Sequence, residues 1–376
     1  MNDAGYVPLD AIAPDLGPEP PAWEPGCEEP TEAPTGGPRM QTAADFLAGF
    51  VPPEYLIEGT IQRGRLYSLT GRTGHGKTAV TLTMGAAIAY SGVLGSRNVE
   101  RGTVAVFCGE NPDDVRARFV VTAEAFGADP MTLPILFFEG PFSLADAKDH
   151  IERQLAAVSN LALVLIDTAA AFFGGDDEVN NVQIGRFARD CRLYTTLPGR
   201  PCVIVNWHPV KNPTSKDQLL PRGGGAAIAE VDGNLTVWSD DDGETTELHW
   251  TGKLRGPGFE PVRFRLARRT SDRMRDAKGN HIPSVAAIPM SEDDAAAAEA
   301  KVRSDEDCLL DMLLHWPGLS QAQWAEKLGW MSSTAQPLKS RVSRVLDRLK
   351  RDRLADNKRG KWTLTTAGKK EAEKLL

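Results

Sequence analysis

No stretch of this sequence runs for the roughly 18 uninterrupted apolar residues that a membrane-spanning helix needs, so a transmembrane span is excluded. The opening MNDAGYVPLD lacks the basic and then apolar segments of a secretory leader, and a cytoplasmic location is expected. Cysteine is sparse: Cys27, Cys108, Cys191, Cys202 and Cys308 are odd in number, scattered, and form no CxxC pair. That spacing excludes a disulfide framework, and the six histidines do not cluster with the cysteines into a zinc site. No internal repeat is visible.

The charge is uneven. Residues 1–40 hold 8 acids, one base and 9 of the 26 prolines, with few large apolar side chains. Such a segment cannot bury enough surface to offset its ordering entropy, and it is expected to be disordered. The whole chain carries a formal charge of -8, yet residues 301–376 contain 16 bases against 10 acids. A basic end on an acidic chain hints at a separate module that binds a polyanion.

Between these ends, short apolar runs alternate with helical stretches. RLYSLT (65–70), GTVAVFCG (102–109), PILFFEG (134–140), LALVLID (161–167) and PCVIVNW (201–207) read as strands. Residues 77–90, 113–126, 144–158 and 181–196 read as helices. Near-continuous apolar strands alternating with helices predict an α/β fold with a buried, mostly parallel sheet. The segment 233–253 then reads as a hairpin turning at 241–243, and PVRFRLA (261–267) as a further strand, which together extend the sheet antiparallel. Polar, alanine-rich residues 271–303 read as a linker. The domain expectation is therefore a disordered segment 1–40, a nucleotide-binding core 41–270, a linker 271–303 and a C-terminal module 304–376.

The run Gly71-Arg72-Thr73-Gly74-His75-Gly76-Lys77-Thr78 matches G-x-x-x-x-G-K-[ST], with a strand before it and a helix after it. Backbone N–H groups of such a loop turn inward around phosphate oxygens, and the helix N-terminus adds partial positive charge. Lys77 is placed for the β and γ phosphates and Thr78 for Mg²⁺, so ATP and Mg²⁺ are the expected cofactors. Asp167 ends a buried strand, where open α/β sheets bind ligands, and is the second candidate for Mg²⁺. Glu110 directly follows another strand; it either polarises an attacking water or caps the next helix. His208 follows a third strand, as a γ-phosphate contact or as a structural histidine.

Taken in order, GRTGHGKT, VFCGENPDD, LVLIDT and VNWHPVK resemble the RecA-like ATPases, and more closely the plasmid RepA-type replicative helicases, over about residues 45–267. The resemblance implies a RecA-like P-loop core, Glu110 as base and His208 as sensor. It also implies a homo-oligomeric, hexameric ring acting on DNA in replication of a phage, plasmid or mobile element. The chain departs from that family at Trp207, at the glycines after Arg222–Gly223, and in Val231–Asn234, where no arginine occurs. Lys253 and Arg255, at the end of a late strand, are the candidates for basic residues that reach a neighbour's nucleotide; a solvated hairpin end is the alternative.

Residues 304–367 show three helices followed by a basic hairpin, the pattern of a winged helix. Arg341, Arg344, Arg348 and Arg351 share one face of the third helix, and Lys358, Arg359 and Lys361 fall at the wing tip. Duplex DNA is the expected partner, with a protein-docking module as the alternative. Alternatives for the whole chain are a recombination or repair ATPase and a nucleotide-switched DNA-binding regulator that does not translocate.

Overall fold

The computed structural model describes residues 40–375 apart from 51, 211, 212, 214, 240–243, 333 and 359. The expected disorder of residues 1–39, the turn at 241–243 and Arg359 lie outside the described residues. The chain divides after Pro52. In the first unit the short helix Ala43–Ala48 is opened by Thr42, whose hydroxyl accepts from the Asp45 N–H.

The second unit is built on a nine-stranded sheet. Its strands are β1 (Leu66–Gly71), β2 (Thr103–Cys108), β3 (Ile135–Glu139), β4 (Leu161–Asp167), β5 (Cys202–Trp207), β6 (Gly233–Ser239), β7 (Thr245–Leu254), β8 (Val262–Arg269) and β9 (Ser284–Pro289). The spatial order is β9-β8-β7-β6-β1-β5-β4-β2-β3. The six strands from β6 to β3 run parallel; β7, β8 and β9 add on antiparallel, as the hairpin pattern predicts.

The parallel strands are apolar on both sides because helices cover both faces. Helices α1 (Lys77–Ala86) and α2 (Pro112–Ala125) lie on one face, where Val80, Leu82 and Val115 join Leu69, Val106 and Leu235 in one core. Helices α3 (Leu144–Ala156), α4 (Asn181–Leu193) and α5 (Gly224–Glu230) cover the other, where Leu155, Phe187 and Ala227 pack with Phe107, Val164 and Val205. β3 closes one edge with Leu136 and Phe137 partly exposed.

Residues 271–303, expected as a linker, are instead ordered into two elements. Ser284–Pro289 forms β9, the outermost antiparallel strand, and Glu292 opens α6 (Glu292–His315), a continuous 24-residue helix. Ser291 and Asp294 form a reciprocal capping box at its start, and alanine has the best helix propensity, so the polar, alanine-rich stretch is a helix with little apolar face.

The second half of α6 belongs to a separate small core. It packs with α7 (Gln321–Lys327), α8 (Lys339–Arg351), the hairpin β10 (Ala355–Lys358) and β11 (Lys361–Leu364), and α9 (Thr366–Glu373). Leu309, Leu313, Trp324, Val345, Leu349 and Trp362 form its centre. The second helix opens with the Ser320–Gln323 capping box read from the sequence.

Candidate nucleotide site

Strand register brings the sequence candidates to one end of the sheet. Cys108 pairs with Asp167 across β2 and β4, and Asp167 pairs with Asn206 across β4 and β5. Glu110 lies two residues beyond Cys108, and His208 two beyond Asn206. Thr70 pairs with Trp207, so the loop that follows β1 emerges at the same carboxyl end. In an open α/β sheet, that end is the ligand-binding edge.

The loop itself needs its glycines. A Cβ at Gly71 would stand 2.7 Å from the Val237 carbonyl oxygen, and Gly76, the cap of α1, has φ +90°, where side chains are strained. Lys77 is buried, and its Nζ donates to the carbonyls of Gly71 at 2.8 Å and Arg72 at 3.4 Å. Burial lowers its pKa, opposed by the charges of Asp167 and Glu110. The ammonium is thus held inside the loop by two backbone oxygens that an anion can replace as its partner. Arg72, Thr73 and Gly74 form the exposed crest of the loop.

Thr78 donates its hydroxyl to Asp167 Oδ2 at 2.7 Å, and Asn206 Nδ2 donates to Asp167 Oδ1 at 2.9 Å. Burial pushes the Asp167 carboxyl up, against the pull of Thr78, Asn206 and Lys77. A desolvated carboxylate beside a hydroxyl is a hard-oxygen pair that suits Mg²⁺, which usually keeps several waters and phosphate oxygens as its other ligands. Among the described residues no group of three or more His, Cys, Asp and Glu could hold a metal by itself. A cation held by Thr78, Asp167, water and phosphate needs none.

Glu110 does not cap the helix after it. Asn111 does so by accepting from the Asp114 N–H, with Pro112 in the first turn. Glu110 Oε1 instead accepts from the Thr168 hydroxyl and lies 3.2 Å from His208 Nε2. Partial burial pushes this carboxyl up, but the hydrogen bonds from Thr168 and His208 outweigh it, helped by the charges of His208 and Lys77. The net shift is below the ordinary value. The arrangement holds an ionised carboxylate half open to solvent beside the loop.

Lys253 and Arg255 do not join this group. Gly233, which pairs with Leu254, also pairs with Tyr67, so both lie at the amino end of the parallel strands. Lys253 Nζ donates to the carbonyls of Ile228 and Ala229 at 2.8 Å, in the last turn of α5. Burial and the neighbouring Arg255 lower its pKa. Arg255 Nη1 donates to the fully buried Asp232 at 2.9 Å, and Arg192 reaches its other oxygen at 3.0 Å. Arg222 stays near the site: its N–H donates to the His208 carbonyl at 2.8 Å and its Nη1 to Glu178 at 2.9 Å.

The AAA domain family model matches residues 27–209 of the chain. Laid over a phosphate loop whose lysine, threonine and strand-end acids converge, that match supports a P-loop ATPase core. No curated protein matches the chain. Among solved structures, the ATPase domain of a helicase matches with a TM-score of 0.41 and 13% identity, over 58% of this chain and 85% of that one.

Sequence reasoning missed Asn206 and Thr168, which position the two acids. Asn206 also reaches Thr81 Oγ1 at 3.3 Å, and its own Oδ1 is buried without a partner. The signal was present: an amide inside PCVIVNW breaks an otherwise apolar, fully buried strand.

The basic face of α8 needs correction. Arg341 makes a two-pronged pair with Asp305 of α6, at 2.9 and 2.7 Å, and its guanidinium covers the Trp330 ring at 4.3 Å. Arg348 Nε lies 3.3 Å from Glu306. Arg341, Arg344 and Arg348 line a cleft of about 940 Å³ that also includes Arg263 and Arg265 of β8. Helical spacing puts the arginines on one face, but that face packs toward α6 and the sheet edge. The solvent face of α8 carries Lys339, Ser340, Asp347, Lys350 and Arg351, and the hairpin adds exposed Lys358 and Lys361. Among the described residues no helix is long and apolar enough to cross a membrane.

Proposed function

We propose that this chain binds and hydrolyses ATP with Mg²⁺ and couples that cycle to DNA, in the manner of a RepA-like replicative helicase of a phage, plasmid or mobile element. The observation that carries the reading is the convergence of Lys77, Thr78, Asp167 and Glu110, with His208 against Glu110, at the carboxyl end of one parallel sheet. Mg²⁺, when bound between Thr78 and Asp167, supplies positive charge against the phosphate oxygens. Lys77 leaves its carbonyl partners for phosphate, where it counters charge that grows as the γ phosphoryl is transferred. Glu110 orients the attacking water and accepts its proton. His208, touching Glu110, senses whether the γ phosphate is present. Asn206 holds Asp167 in register.

The C-terminal module is read as a winged helix that contacts duplex DNA through Lys339, Lys350, Arg351 and the hairpin lysines Lys358 and Lys361. A homo-oligomeric ring, hexameric by the RepA resemblance, brings Lys253 and Arg255 to a neighbouring subunit's nucleotide. Their present partners, Asp232 and the end of α5, favour a second reading: a nucleotide-switched DNA-binding regulator that hydrolyses slowly and does not translocate. A strand-displacement assay run beside phosphate release separates the two. ATP-dependent unwinding supports the motor, hydrolysis without unwinding supports the switch, and absence of both refutes the assignment.

A further inference from the structure

The side chain of His75, at the fifth position of the phosphate loop, turns away from the phosphate-facing backbone onto the antiparallel part of the sheet. Its Nδ1 accepts the Ser239 N–H at 2.9 Å, at the end of β6. Its ring meets the Trp238 indole edge-on, with centroids 5.4 Å apart. The His75 carbonyl accepts the Thr246 hydroxyl of β7 at 3.0 Å. One residue on, a Cβ at Gly76 would stand 3.1 Å from Leu266 Cδ2 of β8. The crest of the loop is therefore fastened to three strands that belong to neither β1 nor α1. Those strands continue toward the C-terminal module: Arg263 of β8 pairs with Glu299 of α6.

A phosphate loop binds well only when its N–H groups already converge, since ordering them at the moment of binding costs affinity. From this we infer that His75 is a positioning residue, which preorganises the phosphate loop by anchoring it to β6 and β7 and makes Trp238 a reporter of nucleotide occupancy. The inference rests on the nucleotide reading above. It adds that affinity is set in part by the antiparallel extension, whose state is thereby linked to the bound nucleotide. By thermodynamic reciprocity, whatever moves those strands changes nucleotide affinity by the same factor as nucleotide moves them.

The test uses the full chain and titrates a fluorescent ADP analogue alongside tryptophan emission with ADP. In the parent, ADP changes tryptophan emission, and Trp238→Phe removes that change although seven of the eight tryptophans remain. His75→Leu weakens ADP binding about tenfold, the scale of one hydrogen bond and one ring contact, and silences Trp238. Turnover at saturating ATP stays within about threefold of the parent, because the ring touches no reacting group. His75→Asn restores an acceptor for the Ser239 N–H and recovers most of the affinity. Thr246→Val, which leaves the histidine in place, weakens binding in the same direction.

ADP binding by His75→Leu at parental strength overturns the inference while leaving the nucleotide site standing. So does bound ADP that leaves Trp238 unchanged. A parent chain that binds no nucleotide removes the site reading and this inference with it.

Discussion

Replacing Glu110 with glutamine separates binding from turnover. The substitution exchanges one carboxylate oxygen for an amide and keeps the side chain's length. Oε1 is the atom that meets both Thr168 and His208, and a glutamine oxygen can still accept from the Thr168 hydroxyl. What is lost is the charge and the ability to take a proton. A positioned general base contributes about 10²–10⁴ in rate, equivalent to roughly 3–5 kcal/mol of barrier. Folding stability should change far less. The carboxyl is half exposed, and the partial desolvation of its charge is relieved as the hydrogen bonds weaken, so a shift of about 1 kcal/mol or less is expected. Phosphate release should therefore fall at least a hundredfold while the dissociation constant for a fluorescent ATP analogue stays within about threefold and the melting temperature stays near the parent's. Turnover within fivefold of the parent would refute the base assignment. A parallel loss of binding and melting temperature would make Glu110 a structural residue instead.

Other consequences follow from the same geometry. Lys77→Ala should abolish phosphate release without unfolding the chain, since its present partners are carbonyls that water can satisfy; circular dichroism beside the activity assay checks both halves. Asn206→Leu removes the donor that holds Asp167 Oδ1, so its Mg²⁺ requirement should shift to higher concentration, read from turnover against Mg²⁺ with ATP fixed. The folded Glu110 carboxyl lies below its ordinary 4.5, so its ionised form, and any stability it lends, persists above that value and is lost only as pH falls through the lower folded value. Turnover should show no acid limb from this group between pH 5.5 and 8 (about one unit above the ordinary value and upward), and a break near pH 6.5 that vanishes in Glu110→Gln would contradict this. In the C-terminal module, Arg341→Glu breaks a largely buried ion pair and a cation–ring contact and should destabilise by about 2 kcal/mol or more. Lys350→Glu with Lys361→Glu should leave melting unchanged while weakening salt-sensitive duplex binding; unchanged DNA affinity would leave the module as a protein-docking unit.

Much of this was readable because it rests on local chemistry. The phosphate loop, the acid closing LALVLID and the alternation of apolar strands with helices are each written within a few residues, and the strands formed within a residue or two of their apolar runs. What escaped depends on who sits across from whom. Asn206 matters because β5 pairs with β4 in a register that opposes it to Asp167, and no motif encodes that pairing. The spacing of Arg341, Arg344 and Arg348 reveals a shared face but not the acids of α6 that meet it. Glu110 was ambiguous between base and cap until Asn111 was seen to supply the cap. The segment 271–303 was misread because SEDDAAAAEAK has no apolar stripe, although alanine and a capping box suffice for a helix that packs elsewhere along its length.

The unbroken helix α6 has a consequence of phase. It starts two residues after β9 ends and runs for 24 residues into the small core, about 36 Å without a hinge. Along such a rod, azimuth and distance are locked together: one residue inserted near Ala298 advances the module by about 1.5 Å and turns it by about 100°. A single insertion therefore swings Asp305 and everything beyond it around the axis, away from the side on which Glu299 meets Arg263. Seven inserted residues make nearly two full turns and return the module close to its original azimuth, farther out along the axis. The joint between core and module thus behaves as a threaded spindle, with length alterations tolerated in steps of whole turns.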